Sequence, residues 1–269
     1  MKVLMIGAGN MGLTFAEGMV NSQYIKQKEL FIYDKNPEVL SLLKKDERFT
    51  VSDDLGELLD KVHIIFVAVK PHHSEELFAE MKPHLHPGQI IVSLMAGVTI
   101  NFMQKSTGLE KIIRTMPNLP AKVGNGVTSF TETPAVSKVE QVAIRNLIDS
   151  TGTAIHVDNE EFINKSTGIS GSGPAYVFYF MEAMMEAAQK MGFSENDSSV
   201  LVENTFEGAI ALFKGHSYGP TSWINKVASK GGTTEAAVDS MKEDNVGELI
   251  KKAAFAAFDR AVELGEETK

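Results

Sequence analysis

Residues 1–12 read MKVLMIGAGNMG, an apolar run that leads directly into a glycine-rich turn. An apolar run of this length is typical of a buried strand, and the residues after Met11 have the apolar spacing of a helix. Gly7 permits the tight turn, Gly9 leaves the backbone open to an approaching group, and Gly12 allows the helix to pack closely. The stretch therefore predicts a strand, a turn and a helix whose first amide groups face an anion.

An acidic residue stands where this arrangement predicts a contact with a ribose. Asp34 directly follows the next predicted strand, residues 30–33, at about 20 residues beyond the glycines. The glycines taken alone would also fit a turn that binds no ligand. Together with Asp34 they favour a Rossmann-type site that holds the diphosphate of a dinucleotide at the helix N-terminus. The expected cofactor-binding residues of this turn are Gly7, Gly9, Asn10, Met11 and Gly12.

The sequence leaves the choice of nicotinamide cofactor open. Asp34 would accept a hydrogen bond from the free 2′-hydroxyl of NADH, whereas the neighbouring Lys35 could pair with the 2′-phosphate of NADPH. Lys35 could equally be a solvated loop lysine. NADPH and NADH are therefore both candidate cofactors.

The first half of the chain alternates short apolar runs with segments of helical spacing, which is the pattern of successive βαβ units. The predicted strands are 2–6, 30–33, 64–69, 90–94, 112–114, 127–130 and 154–157. The predicted helices are 11–21, 37–45, 73–82, 101–105 and 135–149. The β-branched residues in these strands favour a parallel sheet that is covered on both faces.

Residues that follow three of these strands are further candidates for cofactor contacts. Ligands of open α/β sheets lie beyond the carboxyl ends of the strands. The candidates are Ala68, Val69, Lys70, Pro71, Met95, Ala96, Gly97 and Asn118. Lys70 could instead be a surface residue, and the turn at Asn118 could be structural only.

The second half of the chain is predicted to be helical throughout. Its predicted helices are 175–191, 198–214, 221–228, 234–241 and 247–264. The expected architecture is an α/β N-terminal Rossmann-type dinucleotide-binding domain, residues 1–158, and an all-α C-terminal domain for substrate binding and dimerisation, residues 159–269. Residues 176–188 are apolar around most of the helix circumference, which a helix on the surface of a monomer cannot satisfy. A partner subunit is the expected cover, and a buried central helix is the alternative.

The composition excludes several classes of protein. The 269 residues include 26 Lys and Arg against 35 Asp and Glu, a formal net charge of −9, and no Cys. Disulfides, thiolate nucleophiles and iron–sulfur clusters are therefore excluded, and no spacing of His or carboxylate residues predicts a metal site. The acidic balance disfavours nucleic acid, and no apolar stretch reaches the roughly 18 residues of a membrane span. With no targeting segment in view, we expect a cytoplasmic protein that acts on a small molecule.

A glycine-rich segment precedes the first long helix of the second half. Residues 166–176 read STGISGSGPAY, and capping with tight helix contact could explain them. Gly168, Gly171 and Gly173 also have the spacing seen in β-hydroxyacid dehydrogenases, which carry a catalytic lysine four residues after the last glycine. That position is Val177 here, and a valine cannot transfer a proton. Alcohol oxidation by that route is therefore disfavoured.

A second glycine-containing segment lies between two predicted helices, where residues 229–236 read SKGGTTEA. The two glycines leave the backbone amides accessible, and a helix that begins near Thr234 directs its positive end to the same place. The segment is a candidate cradle for a carboxylate. A helix stop followed by a threonine cap is the alternative.

Five segments occur in the order and spacing of pyrroline-5-carboxylate reductase, and the chain resembles that family over essentially its whole length. They are 7–12 (GAGNMG), 68–71 (AVKP), 114–118 (RTMPN), 170–176 (SGSGPAY) and 229–234 (SKGGTT). The last segment is the most specific of the five. The family's version usually begins Ser-Pro-Gly-Gly, so Lys230 departs from it. Asp53 and Asp54 stand where many members have an asparagine near the adenosine.

The resemblance implies reduction of the cyclic imine 1-pyrroline-5-carboxylate to L-proline by NADPH or NADH, the last step of proline biosynthesis. With the apolar helix 176–188, the expected assembly is a homodimer or higher homo-oligomer. The resemblance also implies that Thr234 is the catalytic residue, with its hydroxyl hydrogen-bonded to the ring nitrogen. The amides of the two glycines and the threonine after them would hold the substrate carboxylate. The implied substrate-binding residues are Glu160, Ser229, Gly231, Gly232, Thr233 and Thr234, and Asp54 joins the cofactor contacts.

Two alternatives stay open. One is a related enzyme that reduces another cyclic imine or a carbonyl. The other is a nucleotide-binding protein that senses the cofactor without catalysis. Val177 argues against the hydroxyacid branch, and Thr234 argues against an inactive site.

Overall fold

The computed structural model describes residues 1–267, and its contacts divide the chain into two compact units. Unit 1 comprises Met1–Ser172 together with the residues from Ala256 onwards. Unit 2 comprises Gly173–Phe255. Unit 1 therefore carries the predicted dinucleotide site, and unit 2 carries residues 229–234.

Unit 1 contains one sheet that includes all the predicted strands, with ends shifted by at most two residues. The strands are β1 (Val3–Ile6), β2 (Leu30–Tyr33), β3 (Thr50–Val51), β4 (Ile64–Val67), β5 (Ile90–Ser93), β6 (Ile112–Met116), β7 (Gly126–Glu132) and β8 (Gly152–His156). They form an eight-stranded sheet in the order β3-β2-β1-β4-β5-β6-β7-β8. This order places the ends of β1, β2 and β4 side by side at one edge.

The sheet is not parallel throughout, so that expectation is wrong at one pair. β7 runs antiparallel to β6, with Arg114 opposite Thr131, whereas the other neighbours are parallel. Residues 117–125 form the whole connection between these two strands. Parallel neighbours need a crossover of about a dozen residues or more, so a connection this short returns the chain in the opposite direction.

Helices cover both faces of the sheet. They are α1 (Asn10–Asn21), α2 (Pro37–Leu43), α3 (Leu55–Leu59), α4 (Ser74–Met81), α5 (Ile100–Thr107), α6 (Lys138–Asp149) and α7 (Glu160–Ser166). All of β1 is buried, and its side chains alternate between two cores. Val3 and Met5 share one core with Phe15 of α1, and Leu4 shares the other with Phe78 of α4.

Three short elements were not predicted: β3, α3 and α7. Side-chain caps begin both helices. The Asp54 carboxylate accepts a hydrogen bond from the Glu57 amide at 2.9 Å at the start of α3, and Asn159 accepts from the Glu161 amide at 3.0 Å at the start of α7. Residues 167–171 continue α7 as a π-helical turn.

Unit 2 is helical, as predicted. Its helices are α8 (Gly173–Lys190), α9 (Glu195–Gly215), α10 (Pro220–Val227), α11 (Thr233–Glu243) and the first part of α12 (Val246–Glu267), which continues into unit 1. Among the described residues of this unit, Val202 is the only buried apolar one. Most apolar side chains of unit 2 are therefore exposed in the single chain.

The division after residue 158 stays a prediction. Compactness instead separates the chain after Ser172, because α7 packs on β6 and β7 and so belongs with the sheet. The end of α12 also belongs to unit 1, where Ala261 is buried. In residues 1–267, no helix has the length and apolar character needed to span a membrane.

Candidate cofactor and substrate sites

The turn between β1 and α1 contains three glycines. At two of them a side chain would collide with the backbone, and beside the third there is free space. Gly7 has a φ of +93°, and a Cβ there would lie 2.9 Å from the backbone of Ala68. A Cβ on Gly12 would lie 1.9 Å from the carbonyl oxygen of Gly7. A Cβ on Gly9 would meet nothing within 4 Å. The space beside Gly9 therefore fits a ligand that approaches the backbone closely.

The N-terminus of α1 has no side chain that would compete with an anion. Gly9 is its N-cap, no side-chain hydrogen bond caps it, and its first turn contains no acidic residue. The first amides of a helix lack intrahelical partners and carry the positive end of the helix dipole. These features fit the diphosphate of a dinucleotide.

A cavity of about 440 Å³ lies at the carboxyl ends of β1, β2 and β4. Residues from the three turns that follow these strands line it. Those among the predicted cofactor contacts are Gly7, Gly9, Asp34, Lys35, Ala68, Val69 and Lys70. The structure thus brings together residues that the sequence places up to 63 positions apart, from Gly7 to Lys70. Their contact with a cofactor stays a prediction.

The carboxylate of Asp34 is fixed to the glycine-rich turn. Its Oδ2 accepts a hydrogen bond from the Ala8 amide at 2.7 Å, and its Oδ1 accepts one from the Asn36 amide at 2.8 Å. Asp34 is half-buried and follows β2 directly. It is therefore held at the position where a dinucleotide site contacts the ribose.

Lys35 forms an ion pair with a glutamate that also lines the cavity. Its Nζ lies 2.7 Å from Oε1 of Glu76 on α4. This hydrogen bond and the charge of Glu76 raise the pKa of Lys35, although both side chains are exposed. The lysine is an ion-pair partner here, which goes beyond the two roles considered from the sequence.

Two predicted cofactor residues, Asp54 and Asn118, have partners within the fold. Asp54 caps α3, and its neighbour Asp53 lines a second hollow of about 320 Å³ at the same edge. The Asn118 Nδ2 donates to the carbonyl of Ser170 at 3.1 Å, and its Oδ1 accepts from the Val127 amide at 2.9 Å. Asn118 thus links the turn after β6 to β7 and to the π-helical turn.

The remaining predicted cofactor residues do not line the 440 Å³ cavity. They are Asn10, Met11, Gly12, Pro71, Met95, Ala96 and Gly97. Gly97 has a φ of +76°, and a Cβ there would lie 3.0 Å from Cβ of Leu264 on α12. The turn after β5 therefore packs against the last helix. The Asn10 Oδ1 accepts a hydrogen bond from Lys122 Nζ at 3.2 Å.

Glu160 is held by residues of its own unit. Its Oε1 accepts from Arg114 Nη1 at 2.8 Å and from the Ile100 amide at 2.9 Å. The side chain of Arg114 is 3% exposed and also donates to Asn164 at 2.8 Å. Glu160 thus neutralises a buried arginine and ties α7 to β6 and α5. These contacts explain the residue without a substrate, and its role in substrate binding stays a prediction.

The predicted carboxylate cradle is a tight loop before α11. Gly231 has a φ of +75°, and its amide donates to Oε2 of Glu235 at 2.6 Å. The Gly232 amide donates to the Ser229 carbonyl at 2.9 Å. The amide of Thr233 is the first of the helix and has no intrahelical acceptor. Two of the three predicted amides therefore have internal partners in this structure.

Thr234 is the second residue of α11 and is half-buried. A capping threonine would precede the helix and accept a hydrogen bond from an amide of its first turn. The N-cap is instead Gly232, without a side-chain hydrogen bond. The alternative that Thr234 caps the helix is therefore wrong, and its hydroxyl is not used in that way.

Sequence reasoning missed the acidic side of the cavity. Glu76 and Glu80 of α4 line it together with Tyr33. Burial and the nearby carboxylate of Glu80 raise the pKa of Tyr33. A signal was present, because residues four apart lie on one face of a helix and α4 follows a strand whose end lines the cavity.

Comparisons with known proteins agree with this architecture. Residues 160–264 match the family described as pyrroline-5-carboxylate reductase dimerisation, and residues 2–97 match NADP oxidoreductase coenzyme F420-dependent. A pyrroline-5-carboxylate reductase of Pseudomonas aeruginosa is 30% identical over 267 residues, covering 99% of this chain and 97% of that one. The structure of a pyrroline-5-carboxylate reductase from Coxiella burnetii superposes with a TM-score of 0.91 at 30% identity, covering 98% of both chains. The Plasmodium falciparum pyrroline carboxylate reductase with NADP bound gives 0.87 at 28% identity, with the same coverage.

A Rossmann-type unit with an open glycine turn is typical of dinucleotide-binding proteins, and the match of residues 2–97 places the chain among the dinucleotide-dependent oxidoreductases. The predicted fold class is confirmed. The identity of 30% over nearly the full length of both chains narrows the class further. The chain belongs to the pyrroline-5-carboxylate reductase family.

Proposed function

We propose that unit 1 binds NADH or NADPH at the glycine-rich turn and that residues 229–234 of unit 2 bind the carboxylate of the substrate. The chain is an NAD(P)H-dependent oxidoreductase that reduces the cyclic imine 1-pyrroline-5-carboxylate to L-proline, the last step of proline biosynthesis. The observation that carries the assignment of the cofactor site is the open space beside Gly9, next to a cavity lined by Asp34.

The chain's own residues bind and orient the cofactor. The first amides of α1 would hold the diphosphate, and the Asp34 carboxylate would accept hydrogen bonds from the adenosine ribose. Ala68 and Val69 supply an apolar wall at the end of β4. When bound, the reduced nicotinamide supplies the hydride that adds to the C=N carbon.

Thr234 positions the imine. The imine carbon is already electrophilic, especially when the ring nitrogen is protonated, so orientation and electrostatics supply most of the catalytic effect. A hydrogen bond between the Thr234 hydroxyl and the ring nitrogen, together with the hold of the cradle on the carboxylate, would fix the orientation of the C=N bond. The nitrogen keeps its proton and becomes the amine of proline.

Substrate binding at all three amides of the cradle requires two internal contacts to open, Gly231 to Glu235 and Gly232 to Ser229. The carboxylate of Glu235 already accepts a hydrogen bond from the Gly231 amide. A substrate carboxylate would take the place of Glu235 there and would also accept from the free amide of Thr233. Ser229 and Gly232 complete the proposed set of substrate-binding residues in unit 2.

The chain assembles as a homodimer or higher homo-oligomer through its helical second half. The region from 160 to 264 matches a dimerisation family, and the apolar side chains of unit 2 are largely exposed in the single chain. We place the enzyme in the cytoplasm, and the absence of cysteine from all 269 residues suits a reducing compartment.

An assay of cofactor oxidation tests the function. We expect loss of NADH or NADPH absorbance to depend on 1-pyrroline-5-carboxylate and to yield proline, and L-proline to reduce the oxidised cofactor at high pH. Turnover of only a different cyclic imine or a carbonyl would assign the chain to a related reductase. Cofactor binding without turnover of any of these compounds would identify a sensor.

A further inference from the structure

We infer that this chain binds NADH in preference to NADPH, with Asp34 as the residue that determines the choice. The inference rests on the proposed cofactor site. The two cofactors differ only at the 2′ position of the adenosine ribose, which is a hydroxyl in NADH and a phosphate in NADPH. A phosphate monoester carries roughly 1.5 to 2 negative charges near pH 7, so the charges around this position decide which cofactor is favoured.

Asp34 presents a fixed carboxylate at this position. The amides of Ala8 and Asn36 hold its two oxygens at 2.7 and 2.8 Å, and they anchor it to the turn that binds the diphosphate. A carboxylate has about four acceptor positions, so two remain for ribose hydroxyls. A 2′-phosphate in the same place would bring two anions into contact. The anchored carboxylate has little freedom to swing away from it.

Lys35 does not offset this repulsion. Its Nζ forms an ion pair with Glu76 at 2.7 Å, and the hydrogen bond and charge of Lys35 lower the pKa of Glu76. The Lys35 ammonium has three donors and could contact a 2′-phosphate while still paired, but Glu76 already balances its charge. The pair as a whole brings no net positive charge to the ribose.

The other charges of the cavity point the same way. Its lining contains the carboxylates of Asp34, Glu76 and Glu80. Its second lysine, Lys70, follows β4, and β1 lies between β4 and β2 in the sheet. Lys70 is therefore at the end of a strand two positions away from the one that carries Asp34.

The second hollow, which Asp34 and Lys35 also line, adds one further lysine, Lys44, and that lysine is paired as well. Lys44 and Asp53 both line it, and their charged groups lie 3.4 Å apart. Thus Lys35 and Lys44, which line this second hollow together with Asp34, both have carboxylate partners. A structure of the Plasmodium falciparum relative has NADP bound. The preference proposed for this chain rests on its own Asp34, Glu76 and Glu80.

Calorimetric titration of the full-length oligomer with NADH and with NADPH, without substrate, tests the inference. We expect the Kd for NADPH to exceed that for NADH by about tenfold or more. Asp34→Asn keeps an oxygen that can accept a hydrogen bond from the Ala8 amide but removes the negative charge. It should therefore weaken NADH binding and strengthen NADPH binding, which lowers the ratio of the Kd for NADPH to the Kd for NADH. Glu76→Gln should release Lys35 and improve NADPH binding severalfold, with NADH binding little changed.

Glu57→Gln is the matched control. Glu57 is an exposed carboxylate on α3 that pairs with Lys61 and lines neither hollow, so its loss should leave the ratio of the two Kd values unchanged. Equal Kd values in the wild type, or tighter binding of NADPH, would overturn the inference. If Asp34→Asn fails to fold, Glu76→Gln still tests the inference. An unchanged NADPH affinity in that variant would show that the Lys35–Glu76 pair does not influence the choice of cofactor.

The titration also separates this inference from the proposed function. Selective NADH binding by a chain that forms no proline would leave the inference standing and overturn the function. Proline formation by a chain that binds NADPH more tightly than NADH would support the function and overturn the inference.

Discussion

Thr234 is the residue on which the proposed chemistry depends most directly. Its hydroxyl does not cap α11, because Gly232 is the N-cap. We expect Thr234→Ala to lower kcat about 10- to 100-fold, through loss of one hydrogen bond that orients the imine. Thr234→Ser should retain most of the activity, and the melting temperature of both variants should match that of the wild type.

The control for Thr234 is an exposed threonine elsewhere in unit 2. Thr221→Ala, near the start of α10, removes the same atoms from a residue outside the proposed site and should leave kcat unchanged. Steady-state assays with saturating cofactor measure both variants. Normal kcat in Thr234→Ala would remove the hydroxyl from the reaction, and a lowered melting temperature with normal kcat would show that its role is structural.

Glu160 allows a direct choice between a substrate contact and a structural one. Its carboxylate partners the buried guanidinium of Arg114 at 2.8 Å. Glu160→Gln keeps the shape and the acceptor oxygen but leaves the arginine without a counter-charge. We expect the free energy of unfolding to fall by roughly 3 kcal/mol, the low end of the range for buried pairs, because Glu160 is partly exposed. The KM for pyrroline-5-carboxylate should stay near the wild-type value.

Glu161 provides the comparison for this variant. It lies on the same helix, is exposed, and pairs with Lys165 one turn along at 2.6 Å. Exposed pairs of this kind contribute little, so Glu161→Gln should change the unfolding free energy by about 0.5 kcal/mol or less. Urea unfolding measures both. A raised KM with normal stability in Glu160→Gln would return the residue to the substrate site.

At the scale of whole elements, α6 gives the fold a pH-dependent contribution. Ser137 and Glu140 form a capping box at its N-terminus, and Glu140 also pairs with Lys111 at 2.6 Å. Burial alone would raise the pKa of Glu140, but Lys111 and Ser137 outweigh it, and the pKa is lowered from its ordinary value of 4.5. A carboxyl whose pKa is lower in the folded chain stabilises the fold above the unfolded pKa and loses that effect as pH falls.

Glu140→Gln should therefore be destabilising near neutral pH and much less so in acid. We expect a loss of about 1 kcal/mol at pH 7, from the cap and the partly buried pair together. The difference from the wild type should shrink as the pH falls below 4.5 and through the lowered pKa of the folded state. Urea unfolding at a series of pH values checks this. A penalty that is the same in acid as at pH 7 would contradict the assigned charge.

Elements with long apolar runs were predictable from the sequence, and the others were not. β1 and β4 are continuous apolar strands, whereas β3 has two residues and α3 has five, too few to show a period. The direction of β7 could not be predicted from its side chains, because a strand has the same pattern of apolar residues whether it runs parallel or antiparallel to its neighbour. Only the short connection 117–125 carried that information.

In the candidate site, too, some features could be predicted from the sequence and others could not. Gly7, Asp34 and Lys70 were predictable, because residues after parallel strands gather at one edge of a sheet. Contacts between distant elements were not, and the pairing of Lys35 with Glu76 depends on how α4 packs beside β4. The contact of Gly97 with Leu264 likewise joins residues far apart in the chain.

At the scale of the whole molecule, unit 2 exposes apolar side chains that a second copy of the chain would cover. Phe178 and Tyr179 of α8 are 59% and 76% exposed in the single chain. Residues this exposed on a helix with no buried member need another surface to cover them. Light scattering should give a particle of at least twice the 29.4 kDa of one chain.

Phe178→Glu should weaken this assembly, because it places a charge on a surface that must lose water when two copies meet. The matched control is Val139→Glu on α6, which is 81% exposed but lies outside residues 160–264, so it should leave the particle mass unchanged. Since only the folded chain assembles, association stabilises it by mass action, and the wild-type melting temperature should rise with protein concentration. That dependence should disappear in Phe178→Glu and persist in Val139→Glu. A stable wild-type particle of 29.4 kDa at micromolar concentration, with a melting temperature independent of concentration, would show that the helices of unit 2 need no partner.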